Sequence, residues 1–201
     1  MVDFDERAAT WDDDPAKVER ARRVAAAIER LIPPTGPEAG FEYGCGTGLL
    51  TFALRPRLAK ATLADSSEGM LAALAEKIAA AQDDALVPLK LDLAKDPVPA
   101  ERFDLVYTLM TLHHVADVDA ALRAFHVLLR DGGHVAVADL DAEDGSFHGP
   151  DENVHRGFDR ADLARRLEAA GFADVAFATP FEIAKGDRLY PVFLAVARKR
   201  G

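Results

Sequence analysis

A carboxylate, Glu42, stands just before the alternating glycines Gly44, Gly46 and Gly48 in the stretch FEYGCGTGLLT. Glycine adopts positive φ without steric cost and lets another group pass close to the backbone, so such a run builds either a tight turn or a cradle. Asp65 and Asp92 each follow a short apolar run. A carboxylate at a strand end can accept both hydroxyl hydrogen bonds of a ribose. Further on, MTLHHV sets His113 and His114 directly behind the apolar run FDLVYT, and His148 lies downstream. Histidine exchanges protons near neutral pH, so His113 and His148 are candidates for a general base or a substrate contact. Taken singly, each signal also has a plain meaning: a glycine turn, an aspartate capping the next helix, a hydrogen-bonded loop histidine. Their order gives them joint meaning, provided the elements carrying them bring them to one place.

Val18, Ala21, Ala25, Ile28 and Ile32 recur every three or four residues, which predicts an amphipathic helix over residues 15–32 with Pro15 in its first turn. Arg20, Arg22 and Arg23 are read as its solvated face, and Arg165 and Arg166 likewise on a later helix. PPTGPEAG separates this helix from the rest, so residues 1–36 are expected to form a helical lid or appendage on a single domain spanning 1–201. Strands are expected at 41–43, 61–64, 86–91, 103–109, 134–140, 175–178 and 188–197, with Pro191 marking a strand end or bulge. Between them fall helices at 49–54, around Met70 to Ile78, around Val118 to Leu128 and at 162–170. This alternation indicates an α/β, doubly wound, open sheet with helices on both faces. Ligands of such sheets sit beyond the carboxyl ends of the strands, where the signals above are found.

The combination resembles the class I S-adenosylmethionine-dependent methyltransferases of the small-molecule type, in motif detail over residues 41–140 and in topology over most of the chain. The resemblance implies a Rossmann-like, mostly parallel seven-stranded sheet with a final antiparallel strand. It implies that the EYGCGTG loop, with Cys45 and Thr47 between Gly44, Gly46 and Gly48, meets the aminoacid part of the cofactor, supported by Glu42. Asp65 would hold the ribose hydroxyls, Ser66 and Met70 would flank the adenine, and Asp92 and Leu93 would meet its edge. Thr108 would lie near the reactive sulfonium. Gly40 departs from the strand formers expected ahead of the loop, and Trp11 and the segment 141–159 fall where the family varies and closes over substrate; for Trp11 a packing anchor is the favoured reading. A dinucleotide fingerprint fails in both registers, because Leu49 and Thr51 stand where its third glycine belongs.

The net charge of −10, from 34 acidic and 24 basic residues, disfavours a nucleic acid partner. The Asp/Asn-Pro-Pro-aromatic signature of amino-directed nucleic acid methyltransferases is absent, since DLVY fills that strand end, and so is the paired-glutamate loop of arginine methyltransferases. A small-molecule acceptor remains. A single cysteine, Cys45, and an acidic amino terminus without signal-peptide regions suggest a cytoplasmic protein. No metal is expected, as Asp139, Asp141, His148 and His155 match no compact ligand spacing. The alternatives to an enzyme are a protein that binds the cofactor without turnover and, further off, a dinucleotide-dependent oxidoreductase.

Overall fold

The computed structural model describes residues 4–34, 36–148 and 154–200; Thr35 of the linker and part of the 141–159 segment lie outside the described residues. A single helical turn, α1 (Phe4–Arg7), leads through a 3-10 segment (Ala8–Asp13) into α2 (Pro15–Leu31). Asp14 caps α2 by accepting the Ala16 N–H at 2.9 Å, and Pro15 takes the first position, where no intrahelical donor is needed. Then follow β1 (Glu38–Tyr43), α3 (Leu49–Leu54), β2 (Leu58–Asp65), α4 (Glu68–Ala81), β3 (Leu86–Lys90) and β4 (Phe103–Leu109). The second half comprises α5 (Val118–Leu128), β5 (Leu129–Leu140), α6 (Arg160–Ala169), β6 (Phe172–Lys185) and β7 (Arg188–Lys199).

The strands form one sheet in the order β3-β2-β1-β4-β5-β7-β6. All pairings are parallel except those of β7, which runs antiparallel to both β5 and β6. Strand order reverses between β1 and β4, and the loops after these two strands diverge there to open a crevice. Alternate residues face opposite sides. Leu105, Tyr107, Ala136 and Ala138 pack with α2 and α3, while Val106, Val135 and Val137 pack with α5 and α6. Both faces are therefore covered, as a parallel sheet requires.

β1 begins before Gly40 rather than after it. A Cβ on Gly40 would stand 3.0 Å from Leu58 and 3.1 Å from the Tyr107 ring, so the glycine makes room for a buried tyrosine on the neighbouring strand. Next to it, Arg57 and Glu38 form a buried two-pronged ion pair with contacts of 2.7 and 2.9 Å. β6 is far longer than the expected 175–178. Its pairing with β7 is irregular between Ala173 and Ala176 and again between Ala178 and Phe181, with Asp174 at φ 58° and Pro180 in the second break. An edge strand tolerates both. Pro191 lies opposite Glu182, where β7 runs past the end of β5, and its carbonyl accepts the Asp141 N–H at 3.0 Å.

Candidate functional site

At the carboxyl ends of the strands lies a cavity of about 650 Å³. One wall is the glycine loop between β1 and α3. Gly44, Gly46 and Gly48 all have positive φ, at 66°, 52° and 81°. Two of them are required by the protein's own packing: a Cβ at Gly44 would fall 2.1 Å from Thr111, and one at Gly48 would fall 2.8 Å from Leu74. Of the three, Gly46 alone has room for a Cβ, which would make ordinary contact with Met70 at 3.8 Å and Trp11 at 4.0 Å. Behind the loop Glu42 is buried, accepting the Thr51 hydroxyl at 2.5 Å and the Thr51 N–H at 3.2 Å. The Tyr107 hydroxyl lies 2.6 Å from the same Thr51 oxygen. Burial raises the Glu42 pKa to about 8, against the pull of the Thr51 hydrogen bonds. Burial, with Glu42 and Asp65 nearby, likewise pushes the Cys45 thiol well up, so this cysteine is no nucleophile at neutral pH.

Asp65, at the end of β2, lines the cavity with both oxygens anchored. It accepts Gly46 N–H at 2.7 Å and Ser67 N–H at 2.9 Å, which ties the glycine loop to the start of α4. Ser67, not Asp65, caps α4 by accepting Met70 N–H at 3.1 Å. The N-terminal segment lies across these elements. Asp5 accepts Gly69 N–H at 2.8 Å, and a side chain at Gly69 would strike the Asp5 backbone at 2.8 Å. Asp12 accepts the Thr47 hydroxyl at 2.5 Å and pairs with Lys77 at 2.6 Å. Trp11 and Phe4 thereby reach the cavity.

The floor comes from the end of β4 and the turn after it. Met110 takes φ 55°, and Thr111 donates its hydroxyl to the Gly44 carbonyl at 3.1 Å. His113 then turns inward, 2% exposed, and its ring Nδ1 lies 2.6 Å from Asp139 Oδ1 on β5. Asp139 is fully buried and also accepts the N–H groups of His113 at 3.1 Å and Leu140 at 2.7 Å. The His113 ring stacks near His114 and His148, with centroids 4.1 and 4.9 Å away.

The pattern of the family described as "Methyltransferase domain" matches residues 17–176. The chain belongs to this methyltransferase family. It is similar to a ubiquinone biosynthesis O-methyltransferase of Marinobacter nauticus, 28% identical over 155 residues that cover 73% of this chain and 64% of that protein. It is also similar to 27-O-demethylrifamycin SV methyltransferase of Amycolatopsis mediterranei, 28% identical over 139 residues, 65% of this chain and 49% of that one. The match spans between about half and two thirds of the length of these relatives. A solved S-adenosylmethionine dependent methyltransferase from Mesorhizobium loti shares the fold with TM-score 0.67 and 23% identity, over 87% of this chain and 96% of that one.

Within this methyltransferase domain the cavity brings together Glu42, Gly44, Cys45, Gly46, Thr47, Asp65, Ser66, Met70, His113 and His148. Gly48, Asp92, Leu93 and Thr108 stand outside its lining. Asp92 turns into its own loop, accepting Ala94 N–H at 3.0 Å and pairing with Lys95 at 2.8 Å. Leu93 packs on the sheet face that carries α5. Thr108 is buried one residue too early on β4, its hydroxyl without a partner among the described residues, and the lining begins at Leu109. One expectation is corrected: Arg20 is not on a solvated face but half-buried on the cavity wall, while Arg22 and Arg23 are exposed. The spacing Arg20, Val24, Ile28 was its signal, since it continues the buried stripe of α2.

The foursome Asp139, Asp141, His148 and His155 is not assembled: Asp139 faces His113, Asp141 pairs with Arg160 at 2.6 Å, and the His155 ring bonds the Val115 carbonyl at 3.0 Å. The ligand atoms of His113, His114 and His148 do lie within 4.8 Å of one another. Among the described residues, no helix is long and apolar enough to cross a membrane.

Proposed function

We propose that this domain transfers the methyl group of S-adenosylmethionine to an oxygen of a small molecule, with His113 as the base that accepts the proton. The buried pair that His113, on the cavity wall, makes with Asp139 behind it carries the reading. With Nδ1–H donated to Asp139, the ring is fixed and its Nε2 is left as the acceptor. The names of the curated relatives, both methylating oxygen, agree with it.

The residues fit the cofactor. Asp65 is a pre-anchored acceptor for two hydroxyls, Gly46 keeps the loop backbone bare beside Met70 and Trp11, and Met70 and Leu91 offer apolar walls to a purine. A cavity of about 650 Å³ suits a nucleoside together with a small acceptor. When bound, the cofactor supplies a methyl group made electrophilic by a sulfonium. The protein's own part is to align acceptor and methyl group, exclude water and hold the proton at His113. Ser66 and the backbone of the loop from Gly44 to Thr47 complete the cofactor side, and His148 borders the acceptor. Phe4 and Trp11 form a cover, held by Asp5 and Asp12. The lone buried Cys45 supports a cytoplasmic setting.

Calorimetric titration with S-adenosylmethionine and S-adenosylhomocysteine tests the cofactor; one saturable site, lost in Asp65→Ala, is expected. A donor with a deuterated methyl group, offered with a panel of phenols and hydroxy acids, tests the transfer. His113→Gln should lower kcat by about 10²–10⁴-fold. Its affinity for S-adenosylhomocysteine should stay unchanged. Binding without transfer to any acceptor would leave a binding protein, and no binding by folded protein would overturn the reading.

A further inference from the structure

Three histidines meet on one side of the cavity. His113 and His114 stand on a single 3-10 turn (Leu112–His114), and the chain leaving β5 brings His148 to them. Their ligand nitrogens lie within 4.8 Å of one another, and all three residues line the cavity. His113 is the fixed point. It is buried, and its Nδ1 is bonded to Asp139 at 2.6 Å, which directs Nε2 to any further partner. A carboxylate behind one ring nitrogen is the arrangement that orients histidine ligands around metal ions and raises their basicity. His114 is exposed and His148 half-buried, so these two rings can turn to close on an ion while His113 keeps its place. Phe4 lies edge-on to His114 at 5.4 Å and Phe147 edge-on to His148 at 4.8 Å, which gives the cluster an apolar rim.

We propose that His113, His114 and His148 bind one divalent transition-metal ion, of which Zn²⁺ is the type, with a further position open to the cavity. Imidazoles suit zinc, nickel or copper, whereas magnesium and calcium require oxygen ligands. The carboxylates of the cavity are placed for other work: Asp14 caps α2, Glu42 lies behind the glycine loop and Asp65 ties that loop to α4. Cys45 is no ligand at neutral pH, because burial keeps its thiol protonated. A net charge of −10 favours the approach of a cation. Three protein ligands and one open position make a site that exchanges water for an oxygen of a small molecule. The ion takes the same His113 Nε2 that accepts the proton in methyl transfer, so metal and base exclude each other there. Metal-loaded protein is then a resting form that keeps its cofactor side. This consequence rests on the methyltransferase reading of the cavity; the metal site does not.

The test titrates tag-free, chelator-treated protein with Zn²⁺ in a calorimeter, and one site is expected. Co²⁺ in that site should gain the strong visible absorption of a four-coordinate ion, and Mg²⁺ should not bind. His114→Ala and His148→Ala should each weaken Zn²⁺ binding by about tenfold or more. Asp139→Asn should weaken it by about 10–100-fold through the ring that Asp139 positions. His155→Ala, whose ring bonds the Val115 carbonyl, should leave it unchanged. Circular dichroism shows that each variant is folded. No Zn²⁺ binding, Mg²⁺ bound as tightly, or an affinity that survives His114→Ala combined with His148→Ala would overturn the site. In the transfer assay Zn²⁺ should suppress turnover and a chelator restore it, while S-adenosylhomocysteine affinity stays the same. Turnover untouched by saturating Zn²⁺ would overturn the resting form. Protein that binds no S-adenosylhomocysteine, or never transfers, instead counts against the methyltransferase reading, and the titration alone then decides the metal site.

Discussion

Glu42 is a carboxyl group kept protonated by its surroundings, and this sets a pH dependence with a definite sign. Its folded pKa of about 8 lies above the usual 4.5, because burial outweighs the two hydrogen bonds from Thr51. Between those values the folded chain binds more protons than the unfolded one. Stability contributed by Glu42 is therefore full below pH 4.5 and lost as pH rises through about 8, at up to roughly 1.4 kcal/mol per unit. Urea denaturation at a series of pH values should show this decline, and Glu42→Gln should flatten it; an equal slope in both proteins would disprove the assignment. Order and spacing along the chain marked Glu42, Asp65 and His113 as candidates. The sequence named Asp139 only as a possible metal ligand and could not pair it with His113, because only the register of β5 against its neighbours brings that carboxylate to the ring. Arg20 was misread for a different reason: charge suggested solvent, while position on the helix placed it in the buried stripe.

At the scale of elements, the N-terminal segment is joined to the glycine loop and α4 by side chains rather than by a shared core. Asp12 bonds both Thr47 and Lys77, and Lys77 in turn donates to the Thr47 carbonyl at 2.8 Å. The Asp12–Lys77 pair is about a third exposed on each side, so its worth is discounted for screening to about 1 kcal/mol or less. Asp12→Ala should accordingly loosen the cover over the loop and weaken S-adenosylhomocysteine binding by about 2–5-fold, since 1.4 kcal/mol is a factor of ten. Calorimetry gives the answer, and an unchanged affinity would mean that the segment is no cover. Helices and inner strands were legible in the sequence because their apolar spacing is regular, and β4 and α5 begin and end where that spacing does. β6 was not, because Asp174 and Pro180 break its period, and a one-sided edge strand leaves too few buried positions to restore it.

Across the whole molecule, the cavity is bounded by pieces from every part of the chain. Trp11 and Arg20 come from the amino-terminal helices, Cys45 and Asp65 from the first crossovers, His113 from the middle and Ile183 from the last hairpin. None of these walls exists once the chain unfolds, so a ligand that fills the cavity binds the folded state alone and must raise its stability by mass action. S-adenosylhomocysteine at a hundred times its dissociation constant should add about 2.7 kcal/mol. For a chain of this size that corresponds to a rise in Tm of about 5–10 °C. Asp65→Ala should show no comparable rise at the same concentration, because the anchored acceptor is gone while the sheet remains. Differential scanning calorimetry with and without ligand makes the comparison. A ligand that binds in titration yet leaves Tm unmoved would have to bind the unfolded chain equally well, and the cavity at the strand ends would then not be the cofactor site.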